Sequence, residues 1–204
     1  MRNADIVIPA LDIPGKIART WTHPIKNANA GKIVVDIFFK GRCFVENKIT
    51  DIGSLRNLVE KSDIILSILV PSQALSFAQD VASITANSNL KKIFVDCNAI
   101  SPKTSESINC IIEESNGIFI DGGIIGGSPR SGEKPRIYIS GEHANLLEQL
   151  HTEDVEFVNM NSNIGLASGL KMTYAAITKG TAALYAASLM TADHFDLLEN
   201  LLDE

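Results

Sequence analysis

Short apolar runs alternate along the chain with segments in which apolar residues recur every three or four positions. Apolar runs of strand length that end at Gly, Pro or Asp are typical of strands buried on both faces of a sheet. The three-to-four-residue spacing is typical of helices that pack on such a sheet. The alternation therefore predicts an α/β domain with a largely parallel sheet.

The predicted strands share an apolar, β-branched composition, and some continue into a loop: Ala4–Leu11, Gly31–Phe39, Asp63–Pro71, Lys91–Pro102, Gly117–Gly127, Arg136–Glu142 and Val155–Met160. The predicted helices share the helical spacing: Ser54–Ser62, with Ser54 as N-cap, Ser72–Ile84, Lys103–Ser115 and His143–His151. Ligands of parallel sheets bind beyond the carboxyl ends of the strands. This rule selects the loops Val70–Ser72, Cys97–Pro102 and Gly122–Gly127.

The segment Ile164–Leu189 is small and apolar almost throughout, yet it contains Lys171 and Lys179. Two lysines make a membrane span unfavourable by several kcal/mol, as an order of magnitude. We predict a buried helix from Gly165 to about Met190 that connects two domains. The division places an incomplete nucleotide-binding domain in residues 1–163 and the start of a helical domain in residues 164–204.

Composition narrows the classes of partner. The 204 residues carry a net charge of −6, which argues against nucleic acid because no basic field is present. Cys43, Cys97 and Cys110 have no CxxC spacing, and the four histidines form no ligand pair, so we expect reduced thiols, a cytoplasmic location and no metal site. The first residues do not read as a secretory signal, because Asp5, Pro9 and Asp12 interrupt the apolar segment that one requires, and no membrane partner is expected.

Three motifs resemble those of the β-hydroxyacid dehydrogenase superfamily, which includes 6-phosphogluconate and 3-hydroxyisobutyrate dehydrogenases. They are DGGIIGG (Asp121–Gly127), GLASGLK (Gly165–Lys171) and VDCNAISP (Val95–Pro102). The resemblance covers nearly the whole chain. It implies a Rossmann-like sheet, a long interdomain helix, and hydride transfer between nicotinamide and a hydroxyacid-like substrate.

The resemblance implies that Lys171 is the general acid/base. Oxidising an alcohol requires a base within hydrogen-bond reach of the hydroxyl. Burial and a nearby cationic nicotinamide would lower the pKa of the Lys171 amine and allow it to accept that proton. The alternative is a side chain that extends from the helix to solvent. Tyr174, one turn beyond Lys171, is expected to donate a hydrogen bond to substrate.

Substrate and cofactor contacts follow from the same resemblance. Gly122 and Gly123 are expected to let substrate approach the backbone, with a tight turn as the alternative. Asn98 is expected at the nicotinamide unless it only forms a turn, and Val70 with Pro71 beside the dinucleotide unless Pro71 only ends a strand. Asp12 is suited to ribose hydroxyls, which favours NAD. Two cations just beyond it, Lys16 and Arg19, are suited to a 2′-phosphate, so both NAD and NADP stay open, with NADP preferred.

The chain departs from the superfamily pattern in several places. Ile125 stands where a substrate-binding Ser is usual, and Tyr174 and Ala175 stand where an Asn is usual. The sequence contains no GxGxxG, the pyrophosphate-binding motif. We therefore expect a sheet without its first strand, whose second and fourth strands lack their shared neighbour, and a chain truncated at both ends.

The missing motif leaves a second hypothesis open: a cofactor-incompetent binding or interaction module, whose exposed sheet edge pairs with a partner. A homodimer through the C-terminal helices would suit the small residues of the long helix, Ala175, Ala176, Gly180, Ala182 and Ala183.

Overall fold

The computed structural model describes residues 20–21, 33–37, 49–50, 54–88, 90–126, 135–148 and 155–204. The strands are β1 (Thr20–Trp21), β2 (Ile33–Ile37), β3 (Ile49–Thr50), β4 (Ile64–Ile68), β5 (Ile93–Asp96), β6 (Ile118–Ile125), β7 (Arg136–Ser140) and β8 (Glu156–Asn159). The helices are α1 (Leu55–Lys61), α2 (Ala74–Ser88), α3 (Pro102–Glu114), α4 (Asn145–Glu148), α5 (Leu166–His194) and α6 (Leu198–Asp203). A 3-10 turn, Pro71–Gln73, leads directly into α2.

Six of the described strands form one sheet in the order β2-β4-β5-β6-β7-β8. The strands β2, β4, β5 and β6 are parallel to one another. β7 runs antiparallel to β6, and β8 runs parallel to β7. β1 and β3 pair separately and antiparallel. The mostly parallel sheet with interleaved helices confirms the predicted α/β fold class.

The pairing beside β4 adds a neighbour that the sequence did not predict. The strand predicted at Asp63–Pro71, which contains β4, and the strand predicted at Ala4–Leu11 were expected to lack the neighbour that a first Rossmann strand supplies to both. Instead, β2 lies beside β4 in parallel register, with Ile33 opposite Ile64 and Ile37 opposite Ile68. Another apolar, β-branched strand therefore satisfies the backbone groups of β4. The predicted strand Ala4–Leu11 lies outside the described residues.

Apolar side chains cover both faces of the sheet, which explains the near-continuous apolar strands. One face packs against α1, α2 and α3, where the rings of Phe77 and Phe94 have centroids 5.9 Å apart and those of Phe94 and Phe119 6.4 Å apart. The other face buries Ile120 and Ile139 against the region of α4. A hydrophobic layer on each face holds the strand-end loops in fixed positions.

Local sequence explains where two of the helices begin. The hydroxyl of Ser54, the predicted N-cap, accepts a hydrogen bond of 3.2 Å from the backbone N–H of Asn57. Ser101 caps α3 in the same way, accepting from the N–H of Thr104 at 3.1 Å. Pro102 occupies the first helical position, where its missing N–H leaves no hydrogen bond unmade.

The long helix is present as predicted, but the expectation that it is buried is wrong for most of its length. Ala167 and Ser168 are fully buried, whereas Ile177, Leu184 and Tyr185 are more than 60% exposed. The helix lies on the sheet only with its first turns and then leaves it. No helix among the described residues combines the length and apolarity needed to cross a membrane.

Candidate functional site

A row of buried polar residues crosses the sheet towards the carboxyl ends of its parallel strands. Ser67, Asp96, Asp121 and Ser140 pair in register on β4, β5, β6 and β7, so their side chains lie on one face. All four are completely buried. Buried polar groups destabilise a fold unless they are hydrogen-bonded, so each member of this row needs specific partners.

Asn98 connects the ends of β4 and β5. Its side-chain amide donates to Asp96 at 2.8 Å and to the Ser67 hydroxyl at 2.9 Å, and its carbonyl oxygen accepts from the backbone N–H of Leu69. Its own backbone N–H donates to Asp96 at 2.9 Å. The amide of Asn98 therefore fixes the loop that leads to Val70, and its predicted contact with nicotinamide stays a prediction.

Burial raises the pKa of the Asp96 carboxyl to about 6, because a charged carboxylate is poorly solvated there. The nearby negative charge of Asp121 raises this pKa as well. The hydrogen bonds from Asn98 and Ser67 act in the opposite direction, because they favour the ionised form. Asp96 is thus a buried carboxyl group with a raised pKa at the end of a central strand.

Asp121 is the centre of the buried network. Its carboxylate accepts hydrogen bonds from the hydroxyls of Ser105 at 2.8 Å and Ser140 at 3.0 Å, and from both the hydroxyl and the backbone N–H of Ser168. The N–H of Ala167 donates to the Ser140 hydroxyl at 3.1 Å. Asp121 and Ser140 thereby satisfy free N–H groups in the first turn of α5.

Lys171 lies one turn further along α5, over the end of β6. Its Nζ atom donates a hydrogen bond to the backbone carbonyl of Ile124, and its side chain is half-buried. Burial lowers the pKa of the Lys171 amine, the charge of Lys179 lowers it further, and Cys97 acts in the opposite direction. The direction agrees with the shift that general acid/base chemistry requires.

Both glycines of the predicted substrate loop are explained by packing within the chain. A Cβ atom on Gly122 would lie 2.7 Å from the backbone oxygen of Asp96, and one on Gly123 would lie 2.7 Å from that of Ala167. Gly122 thus lets β6 pass close to β5, and Gly123 lets α5 approach β6. Their predicted contact with substrate stays a prediction, and it concerns backbone atoms only.

The strand-end loops form one continuous edge. The backbone N–H of Leu69 donates a hydrogen bond to the side chain of Asn98. The sulfur of Cys97 lies beside Gly122, 2.9 Å from where a Cβ on Gly122 would lie. Gly123 in turn lies against Lys171, whose Cβ is 3.3 Å from where a Cβ on Gly123 would lie. The structure therefore brings the predicted loops and Lys171 to the same side of the sheet.

The other predicted site residues have different surroundings. Val70 and Pro71 are exposed at the start of the turn before α2, at the same edge. Tyr174 is 46% exposed on α5. Asp12 lies outside the described residues, as do Lys16 and Arg19. In the described part of the chain, no group of three or more His, Cys, Asp and Glu is arranged to hold a metal ion.

Sequence reasoning did not select Asp96, Asp121 or Ser168 as functional residues. A signal was present for the two acids. Each ends or interrupts an apolar strand that is predicted to be buried on both faces, where an acid needs specific partners. Ser168 carried no such signal, because a Ser in a small-residue helix is unremarkable in sequence.

Comparison with known proteins assigns the fold to a family. Residues 39–152 match the family model of the NAD binding domain of 6-phosphogluconate dehydrogenase. The chain belongs to this family. It is therefore a member of the β-hydroxyacid dehydrogenase superfamily, as the motifs indicate, and the expected cofactor, NAD or NADP, is confirmed at that level.

Individual relatives are similar to this chain in sequence or in fold. An uncharacterized 28.5 kDa protein encoded in the 7S RNA 5′ region of Methanothermus fervidus is 31% identical over 195 residues, which cover 93% of this chain and 72% of that protein. The conserved protein MTH1747, described as structurally similar to 3-hydroxyacid dehydrogenases, is 28% identical with a TM-score of 0.56, over 83% of this chain and 64% of that one.

A 3-hydroxyisobutyrate dehydrogenase from Mycobacterium tuberculosis shares the fold, with a TM-score of 0.53 and 14% identity. The match covers 80% of this chain and 51% of that enzyme. This chain thus spans about half to two thirds of the length of these two solved structures.

Proposed function

We propose that the chain forms the nicotinamide side of an NAD(P)-dependent oxidoreductase that transfers hydride to or from a hydroxyacid-like substrate. In this proposal Lys171 exchanges a proton with the substrate oxygen. The observation that carries the proposal is the half-buried amine of Lys171, with its lowered pKa, at the carboxyl end of a parallel strand. Family membership supports the cofactor, and the position of Lys171 supports the acid/base role.

The amine has the donors that the proposed role requires. An ammonium carries three N–H donors, and the described residues provide one acceptor for them, the carbonyl of Ile124. The remaining donors are available to a substrate oxygen. In oxidation, a neutral Lys171 takes the hydroxyl proton while hydride leaves the carbon; in reduction, the ammonium returns that proton.

The edge residues fit a nicotinamide cofactor. Val70, Pro71 and Ser72 are exposed, and Asn98 rigidly fixes the loop before them, so backbone and apolar surface are available to a flat ring. A bound nicotinamide supplies the hydride acceptor or donor. In this proposal the loops bind the nicotinamide ring, and Lys171 accepts or donates the proton of the substrate oxygen. Val70, Pro71 and Asn98 as cofactor contacts, and Gly122, Gly123 and Tyr174 as substrate contacts, are part of the proposal.

The surroundings of Lys171 also bear on the substrate. Ile125 is half-buried and lies two residues beyond Gly123, on the face of β6 that meets Lys171, so the substrate meets hydrocarbon close to the proton-transfer site. We propose a substrate whose reacting alcohol or carbonyl carbon carries an apolar substituent. The preference for NADP over NAD, which depends on Lys16 and Arg19, remains part of the proposal, as does a cytoplasmic location, which the free Cys97 and Cys110 support.

The test separates cofactor binding from proton transfer. Binding of NADPH and NADH is measured by calorimetry, and turnover is followed by nicotinamide absorbance with a panel of 2-hydroxy and 3-hydroxy acids and their oxo counterparts. We expect Lys171→Met to lower kcat about a hundred-fold or more while leaving the cofactor Kd unchanged. The matched control is Lys91→Met, which removes an exposed lysine just before β5, at the opposite edge of the sheet.

The outcomes are distinct. Equal turnover in Lys171→Met and Lys91→Met would refute the role of Lys171. Failure of the wild-type chain to bind either nucleotide at millimolar concentration would favour the second hypothesis, an interaction module. The exposed apolar side chains of α5 and α6 support that alternative, and they also support a homodimer through these helices.

A further inference from the structure

The carboxylate of Asp121 joins three separate elements to β6. Ser105 donates to it from α3, Ser140 from β7, and Ser168 from α5 through both its hydroxyl and its backbone N–H. All four residues are completely buried. Four hydrogen bonds to one carboxylate in a dry environment fix its position, and therefore the position of each group that donates to it.

The contact with Ser168 is the one that reaches the proposed site. Ser168 and Lys171 are three residues apart on α5 and thus share a face of the helix. Asp121 and Gly123 lie two residues apart on β6 and thus face the same side of the sheet. The same strand therefore contacts α5 twice, through Asp121 on Ser168 and through Gly123 on Ala167 and the Cβ of Lys171.

We propose that Asp121 is a positioning residue for Lys171: its carboxylate caps the first turn of α5 and so sets where the amine of Lys171 meets the end of β6. The proposal depends on the proposed function only in regarding Lys171 as catalytic. The carboxylate of Asp121 itself accepts four hydrogen bonds from within the protein, and it has no part in the proposed proton transfer.

Asp121 acts through geometry rather than through its charge. The influences on the pKa of Lys171 are burial, then the charge of Lys179, then Cys97, and Asp121 is not one of them. If the cap is weakened, the first turn of α5 loosens and water reaches the amine. Rehydration removes the main cause of the lowered pKa, so the amine titrates closer to an ordinary lysine.

Two serines provide a matched pair of variants. Ser168→Ala and Ser105→Ala each remove one completely buried hydroxyl that donates to the same oxygen of Asp121. Ser168 belongs to the helix that carries Lys171, whereas Ser105 belongs to α3. A role of Asp121 in general stability predicts equal effects of the two variants on Lys171, and a positioning role predicts unequal ones.

The measurement is the pKa of the Lys171 amine in the full chain without cofactor. Lysines are reductively methylated with ¹³C-formaldehyde, their NMR signals are followed against pH, and the signal missing in Lys171→Arg identifies Lys171. We expect Ser168→Ala to raise this pKa by about half a unit or more, and Ser105→Ala to leave it within about 0.2 unit of wild type. Asp121→Asn, if it folds, should raise the pKa by about one unit.

Two results would overturn the proposal: an unchanged Lys171 pKa in Ser168→Ala, or an equal change in both serine variants. Thermal unfolding of both variants provides the stability control, since each is expected to lose similar stability. The readout requires neither nucleotide nor substrate. A chain that fails to bind NADPH but shows the predicted pKa pattern would refute the proposed function and leave the positioning role intact. A chain that binds NADPH but lacks the predicted pKa pattern would refute the positioning role and leave the proposed function intact.

Discussion

At the scale of single residues, two lysines show why burial alone does not identify a catalytic group. Lys92 is 6% exposed, and burial lowers its pKa while Asp63 and Glu60 act in the opposite direction. Its Nζ atom donates to the carbonyl oxygens of Glu60 and Ser62 at the end of α1, where it satisfies helix-end acceptors. Burial also lowers the pKa of Lys171, but this residue lies at the edge where parallel sheets bind ligands. The location of each lysine therefore distinguishes the proposed acid/base role of Lys171 from the helix-capping role of Lys92.

Asp96 gives the chain a specific pH dependence of stability. Its folded-state pKa of about 6 lies above that of the unfolded chain, so the folded state binds an additional proton between about pH 4 and pH 6. The contribution of Asp96 is fully present below about pH 4 and is lost as the pH rises through about 6. The loss is on the order of 2–3 kcal/mol.

Urea unfolding at pH values from 4 to 7 tests this expectation. In wild type, the unfolding free energy should fall as the pH rises through about 6. In Asp96→Asn the contribution of Asp96 to this fall should be absent. Asp80→Asn, which changes an exposed acid on α2, should retain the wild-type pH dependence. A full wild-type fall in Asp96→Asn would contradict the assignment.

At the scale of elements, the amino-terminal turn of α5 is held by backbone approach as well as by hydrogen bonds. A Cβ on Gly123 would lie 2.7 Å from the Ala167 carbonyl, a backbone atom that cannot move without the helix. The same helix contains Gly180, where an added Cβ would have no described atom within 4 Å apart from the nearby backbone of α5 itself. A larger side chain is therefore obstructed at Gly123 and has open space at Gly180.

Gly123→Ala should lower the unfolding free energy by about 1–3 kcal/mol, because overpacking moves α5 away from β6. Gly180→Ala should raise it by about 0.5–1 kcal/mol, because Ala has the better helix propensity at an open position. Chemical denaturation of both variants measures these changes. Effects of the same sign would show that α5 does not rest on Gly123 in solution.

At the scale of the whole molecule, the described chain combines a sheet covered on both faces with helices that extend from it largely uncovered. Beyond its first turns α5 exposes Leu184, Tyr185 and Met190, and α6 exposes Leu202 by 68%. Several exposed apolar side chains on neighbouring helices are typical of an interaction surface. It is the structural support for the proposed homodimer.

Light scattering on a sizing column, run over a range of protein concentrations, tests the dimer. We expect the wild-type chain to associate and Leu184→Glu to weaken association roughly ten-fold or more. Leu146→Glu, at an exposed leucine on α4, is the control and should not alter association. A wild-type chain that remains monomeric at the highest concentration would refute the homodimer.

The sequence by itself determined the order and type of the longer described elements, because apolar periodicity and capping residues are local properties. It did not predict the two-residue strands β1 and β3 or the short helix α6. It predicted the helix that carries Lys171 and the loops at the ligand edge, and the motifs around Lys171 and Gly123 indicated the family that the comparisons confirm. Element ends differ by a few residues: the helix expected at Ser72–Ile84 is observed at Ala74–Ser88, after a 3-10 turn.

Only the tertiary structure decided the partners of Asp121, the pairing of β2 with β4, and the exposure of α5. Asp121 meets serines that are 16, 19 and 47 residues away in the chain, and no local pattern encodes such contacts. The apolar composition of α5 predicted burial, but burial depends on a neighbouring surface that the helix sequence does not specify. Long-range contacts of this kind arise only when the strands are aligned in the sheet and the helices pack against it.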